Sequence, residues 1–411
     1  MVKKVMATLV LLSVYFVSVV AQSKPIALNG IFDSRSYNFQ QSPVSLNGQW
    51  YIYADQLVTP FEKPEGSILV NFPHRWNKES SQGIATYKLS VIVNRDQKNL
   101  AVDIPQLYCA YNLWINGVLI AKNGLVSSSR RTTQPQWLPQ VVSFPVTKDT
   151  LQFTLQIANF HHSIGGIKNP IRLGLPEDLL NQQSKAYLVN MILLGVLTFL
   201  GLFFIIIYVF VKREKAALYF AMLCLTWGLR SIFSEQYLAI HWMPWFDWEL
   251  TLKIEYITLY FTMALAIQFI AKLYVFDTNL LIKKILLYPN YIFVFLTMAT
   301  PAVVYTNLLN IYLTLAGAVL LCIVIIILRA MLFERYGAWF SVSGIMALAV
   351  AFSYNYLSYQ GVFDFSPFTF YTLYLCCFFL LALALAYQLS PTAKSKNVSE
   401  TLTFDDYVMN K

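Results

Sequence analysis

A chain of 411 residues that is 57% hydrophobic and only 12% charged is too apolar for an ordinary soluble protein, in which about a quarter of residues carry charge. The formal net charge of +9 invites a nucleic-acid reading, but no basic helix or aromatic-basic repeat accompanies it. Eight of the 30 Lys and Arg residues lie in or at the edge of loops between apolar segments, a topology signal that argues against nucleic acid and points to membrane lipid.

Met1 to Ala21 carries Lys3 and Lys4, then an apolar run from Val5 to Val20, with small residues before Gln22. This predicts a signal peptide over 1–21. Of the five cysteines, only Cys109 falls in the exported stretch 22–185, so that stretch has no internal disulfide and must be held by a core.

Alternation is clear in Tyr87-Leu89-Val91-Val93 and in Leu151-Phe153-Leu155-Ile157, with Lys88, Ser90, Gln152, Thr154 and Gln156 on the other face. Period two marks strands with one buried side. Asn116-Gly117 between two apolar runs is a two-residue hairpin signal. Proline and glycine punctuate the remainder about every ten residues, the pattern of a two-sheet sandwich.

Seven apolar segments follow, at 187–211, 216–236, 249–271, 285–305, 307–329, 338–360 and 367–389. Each can cross a hydrocarbon layer of about 30 Å as helix, which predicts a seven-transmembrane domain over 186–390. Lys212, Arg213, Lys215, Lys272, Lys283, Lys284, Arg329, Arg335, Lys394 and Lys396 all fall on one side. By the positive-inside rule that side is cytoplasmic: the N-terminal domain is expected outside the cytoplasm and the tail 391–411 inside it.

Within the spans, counting 1.5 Å per residue puts Arg230 about 21 Å above the cytoplasmic start and Glu255 about 9 Å below the outer face of a layer about 30 Å thick. The two share a depth, and an ionisable residue there needs a partner, so an Arg230–Glu255 intramembrane ion pair is expected. The inner half of the bundle is almost wholly apolar, which favours a receptor over a transporter with its polar path through the midplane. No nucleophile-base set or phosphate-cradling loop suggests an enzyme, and no cofactor or metal is expected.

Leu46-Asn47-Gly48-Gln49-Trp50, Phe72-Pro73-His74-Arg75-Trp76, Gly83-Ile84-Ala85-Thr86-Tyr87 and Leu113-Trp114-Ile115-Asn116-Gly117 resemble, in order and spacing, the jelly-roll sugar-binding domain that precedes the catalytic barrel of glycoside hydrolase family 2 enzymes. With Asn159-Phe160-His161-His162, Gly165-Gly166, Leu218-Tyr219-Phe220, Leu229-Arg230-Ser231-Ile232-Phe233 and Lys253-Ile254-Glu255-Tyr256 added, the whole resembles the bacterial seven-transmembrane receptors with diverse intracellular signalling modules. That resemblance implies an all-β jelly-roll sandwich, galactose-binding-domain-like, followed by an α-helical seven-transmembrane bundle. It also implies a place in the bacterial inner membrane, with the N-terminal domain periplasmic and its ligand of carbohydrate class. The family's usual C-terminal output domain is lacking after Ser390, so output is expected through a separate cytoplasmic signalling protein. A transporter component and a membrane-anchored carbohydrate-binding scaffold are the alternatives, and monomer and homodimer both fit.

Candidate ligand contacts are Trp76 and Trp137, whose ring faces suit a pyranose, with Arg130 and Arg131 on a loop after the hairpin, and His161. Adjacent His161 and His162 point to opposite faces if extended, and their spacing makes no zinc site.

Overall fold

The computed structural model describes residues 25–62, 64–76, 81–94, 96–210, 214–234, 236–359 and 366–390. The stretch 1–21, expected to be a signal peptide, and the tail 391–411 lie outside them.

The N-terminal part is a β-sandwich. The larger sheet runs in the order β4 (Ile68–Phe72), β3 (Gly48–Ala54), β5 (Gly83–Ile92), β11 (Thr150–Asn159), β8 (Ala110–Ile115), β9 (Val118–Asn123), with β1 (Ile31–Asp33) parallel to β5. A four-stranded sheet has the order β10 (Gln140–Pro145), β6 (Asn99–Ile104), β13 (Arg172–Gly174), β2 (Val44–Ser45), and β12 (Gly166–Ile167) pairs with β7 (Leu107–Tyr108). The two larger sheets share one core, in which Leu100, Val102 and Ile104 of β6 meet Tyr87, Leu89, Val91, Leu113 and Leu155. Trp50 stacks on Phe72 at 4.0 Å and donates its indole N–H to the Leu46 carbonyl at 3.0 Å.

The period-two residues face this core because alternate side chains of a strand share a side. Asn116 and Gly117, both at positive φ (51° and 83°), form the two-residue turn between β8 and β9, the geometry that matches strand twist. One expectation fails on the other face: Thr154 and Gln156 are buried. The loop after β3 lies over them, and Gln156 donates to the Val58 carbonyl at 3.1 Å. Thr86, beside them, donates to the Gln56 carbonyl at 2.7 Å. A polar side chain can be buried when a backbone carbonyl replaces its water.

Nine helices follow among the described residues: α1 (Pro176–Phe210), α2 (Lys215–Phe233), α3 (Leu238–Trp242), α4 (Trp248–Leu273), α5 (Leu280–Ala299), α6 (Ala302–Asn307), α7 (Leu309–Leu332), α8 (Ala338–Tyr359) and α9 (Pro367–Leu389). Seven of them, all but the short α3 and α6, are long and apolar enough to cross a membrane. Helix α1 starts at Pro176, well before the apolar run. Pro at the first position with Glu177 and Asp178 in the first turn is a favourable helix start that hydropathy does not register. Its 35 residues reach about 52 Å, so its first turns stand clear of the bilayer against β6 and β10. Arg172 ties the two parts, donating to Asp103 of β6 and, at 2.9 Å, to Gln182 of α1. The fourth span stops at Ala299 rather than at 305, because Pro301 cannot continue a helix and instead caps α6.

Candidate functional site

Three pieces of the sandwich project toward the bundle: Gln106–Cys109 around β7, Trp137–Leu138 before β10, and the turn after β11. Asn159 builds the turn. Its amide nitrogen donates to the carbonyls of Ser81, His162 and Ile164 at 2.7, 2.9 and 3.0 Å, and its oxygen accepts from the His162 N–H at 3.1 Å and the Cys109 thiol at 3.1 Å. Burial pushes that thiol well above its ordinary pKa, which keeps it protonated and inert.

On the bundle side, Tyr237 and Ile240 of the α2–α4 connection, Trp248, Leu252 and Tyr256 of α4, and Tyr305 of α6 form one buried cluster with Cys109 and Trp137. Trp137 is its centre. Tyr108, His162, Tyr237 and Trp248 surround it at centroid distances of 5.4, 5.4, 5.6 and 5.6 Å. His162 stacks on Tyr108 at 4.8 Å, and His161 packs edge-on to Trp248 at 6.4 Å. A backbone-to-side-chain hydrogen bond joins the two parts where the Ser163 N–H donates to Thr306 Oγ1 at 3.2 Å.

A polar thread runs through this apolar seam. The Tyr237 hydroxyl lies 3.0 Å from Gln106 Oε1 in the sandwich and 3.4 Å from Glu255 Oε2 in α4. Glu255 Oε1 is 3.9 Å from Arg230 Nη2, and Arg230 also donates through Nη1 to the Glu255 carbonyl. Both charged side chains are about four-fifths buried, so each depends on the other to offset lost hydration. Tyr237 sits at φ 48°, a left-handed conformation rare for a bulky residue and costly by about 1–3 kcal/mol.

Burial lowers the His162 pKa from 6.5 to about 4. The ring is neutral, and its Nδ1 accepts the Ile164 N–H at 2.9 Å.

The ligand candidates named from sequence do not gather in one place. Trp137 is 3% exposed and offers no ring face to a sugar. Trp76 is partly buried against the sandwich core, donating to the Tyr87 hydroxyl at 2.8 Å and covering Gly165 and Gly166. His161 stands at the seam, its Nε2 3.3 Å from the Thr133 carbonyl. Arg130 and Arg131 are exposed on a loop closed by bonds from Thr133 Oγ1 to the Ser127 and Ser129 carbonyls at 3.0 and 2.8 Å. Sequence reasoning missed Gln106, Tyr237 and Trp248. Among the described residues, no group of three His, Cys, Asp or Glu is placed to hold a metal.

The family model of 7TM diverse intracellular signalling matches residues 186–388. No curated protein matches the chain. Among solved structures, the sandwich region is similar to the beta-glucuronidase of Faecalibacterium prausnitzii at 13% identity, over 32% of this chain and 31% of that one, with a TM-score of 0.25. The uncultured Clostridium sp. beta-glucuronidase gives 15% identity, 32% and 28% coverage and a TM-score of 0.26. That of Bacteroides uniformis gives 13%, 32% and 17%, and 0.25. The matched part thus spans under a third of each of these chains. With seven membrane-length helices in the same stretch, the membrane region of this chain, residues 186–388, belongs to the 7TM diverse intracellular signalling family.

Proposed function

We propose that the chain is an inner-membrane receptor whose sandwich lies in the periplasm and binds a ligand of carbohydrate class. Occupancy passes through the seam to the basic end of the bundle, where a separate cytoplasmic protein reads it. The observation that carries this reading is the fork at Tyr237, whose single hydroxyl proton has two acceptors, Gln106 in the sandwich and Glu255 in the bundle. A group with two discrete arrangements, one favouring each side, is the kind of element that links two sites. The loop carrying Arg130 and Arg131 supplies the input: its tip is exposed, while its Thr133 meets His161 and its far end is Trp137. The loop cations support the orientation.

The test uses the full-length protein in lipid nanodiscs, with Phe276 at the basic end replaced by a fluorophore-labelled cysteine, titrated with neutral and acidic monosaccharides. At least one sugar is expected to raise the melting temperature and shift the fluorescence. Tyr237→Phe should keep the first effect and lose most of the second. A sugar that stabilises the protein while the label stays silent refutes the coupling; a panel in which nothing binds refutes the ligand class.

A further inference from the structure

At the end of the bundle remote from the sandwich, the ends of α2, α4 and α9 and the α7–α8 turn enclose a cavity of about 190 Å³, walled by Tyr274, Phe276, Leu385 and Leu389, with Lys272, Glu214 and the Arg335–Asp277 ion pair (3.2 Å) at its polar side. Lys272 and Lys284 bear electrostatically on Lys283, so three like charges lie close together at this end. Among the described residues, none of the three lysines pairs with a carboxylate. A cavity of about 150 Å³ admits a benzene ring, so this one has room for one aromatic side chain, with an anionic flank to meet the lysines.

The chain carries such a segment. Leu389, in the cavity wall, is followed by Ser390–Ser399 and then by Glu400-Thr401-Leu402-Thr403-Phe404-Asp405-Asp406-Tyr407-Val408. That stretch holds three acids and no base, with an aromatic residue on either side of the acidic pair. Phe404 lies 15 residues beyond Leu389 of the cavity wall, and a covalent tether that short confines an attached group to the neighbourhood of its anchor, which raises its effective concentration there. No free acidic peptide or lipid headgroup has that advantage.

The geometry points to residues 400–408 as the occupant of this cavity: Phe404 or Tyr407 enters between α4 and α9, Asp405 and Asp406 meet Lys272 and Lys283, and the chain's own tail covers the face a signalling partner would have to reach.

The test places a photo-crosslinking phenylalanine analogue at Phe404 in the full-length protein in nanodiscs containing one-third anionic lipid. The expected product is an intramolecular crosslink to 272–277 or 385–389, identified by mass spectrometry. It should fall at least fivefold with Asp405→Lys plus Asp406→Lys, and recover when Lys272→Glu and Lys283→Glu are added. A second measurement follows Phe276→Cys labelling by a water-soluble maleimide, which should speed up several-fold when 400–411 is removed. Crosslinks confined to lipid, or to a second copy of the chain, overturn the proposal, as does labelling that ignores the deletion. Neither readout depends on a ligand for the sandwich, so the receptor reading and this one can fail separately.

Discussion

Trp137 of the sandwich and Trp248, the first residue of α4, meet edge to face, with ring centroids 5.6 Å apart and planes at 87°. Edge-to-face pairs gain from the aromatic quadrupole beyond the area they bury, and this one closes the seam between sandwich and bundle. Trp137→Ala is predicted to cost about 3–5 kcal/mol, as large-to-small changes of buried aromatics do. The loss should appear as raised hydrogen exchange at 106–109, 159–164 and 237–252, with exchange in β3 and β5 unchanged. Uniform loss of protection throughout the sandwich would mean that Trp137 supports the fold and not the seam.

Arg230 and Glu255 are predicted to respond unequally. Arg230→Ala leaves a carboxylate four-fifths buried with the Tyr237 hydroxyl 3.4 Å away, a loss of about 2–4 kcal/mol. Glu255→Ala leaves Arg230 still donating to a backbone carbonyl that no substitution removes, so its cost should be about half as large. Stabilities in mixed micelles for both singles and the double give the coupling, and the double should be less damaged than the sum. Strict additivity would show that the side chains do not interact.

Much of this architecture is written locally in the chain. Tyr87, Leu89 and Val91 face the core because period two leaves them no other choice, and Asn116-Gly117 makes its turn from two residues that tolerate positive φ. The depth count along two apolar segments places Arg230 level with Glu255, and their nearest charged atoms lie 3.9 Å apart. What the sequence hides is long-range. Trp137, between Pro135 and Pro139, reads as an exposed loop aromatic because the surface that buries it, Trp248 and Tyr237, comes far later in the chain. Nothing local announces the left-handed backbone of Tyr237, and the start of α1 is masked by polar residues, most of them exposed, around the buried Leu179.

The orientation makes its own prediction. A phosphatase that works only in the periplasm should be active when fused after Gly174, before α1 begins, and inactive when fused after Lys411. A fluorescent protein that matures only in the cytoplasm should do the reverse. The odd number of membrane-length helices among the described residues predicts that the two fusions differ, and the basic loops set the sense. Phosphatase activity at Lys411 would reverse the topology and with it the placing of sensor and output ends.

His162 makes the seam sensitive to acid, and the sign can be worked out. The ring is neutral in the closed seam with its pKa lowered from 6.5 to about 4 by burial, whereas a solvated ring takes up its proton near 6.5. The open state therefore binds more protons below 6.5, and linkage requires the closed state to lose stability as pH falls through that range. The stabilisation is fully present above pH 6.5 and is lost progressively toward about 4, a change on the order of 3 kcal/mol from this group. His241 of the α3 helix, bonded to the Tyr187 hydroxyl at 2.7 Å, shifts in the same direction through partial desolvation, so His162 must be isolated by substitution. His162→Phe keeps an aromatic ring against Tyr108 and Trp137 but removes the titration. Hydrogen exchange of the Ser163 N–H and its neighbours, followed from pH 7 to 4.5 and corrected for intrinsic rates, should show opening that steepens with acid in the unaltered protein and flattens in the variant. Equal pH dependence in the two would place the acid-sensitive group elsewhere in the seam.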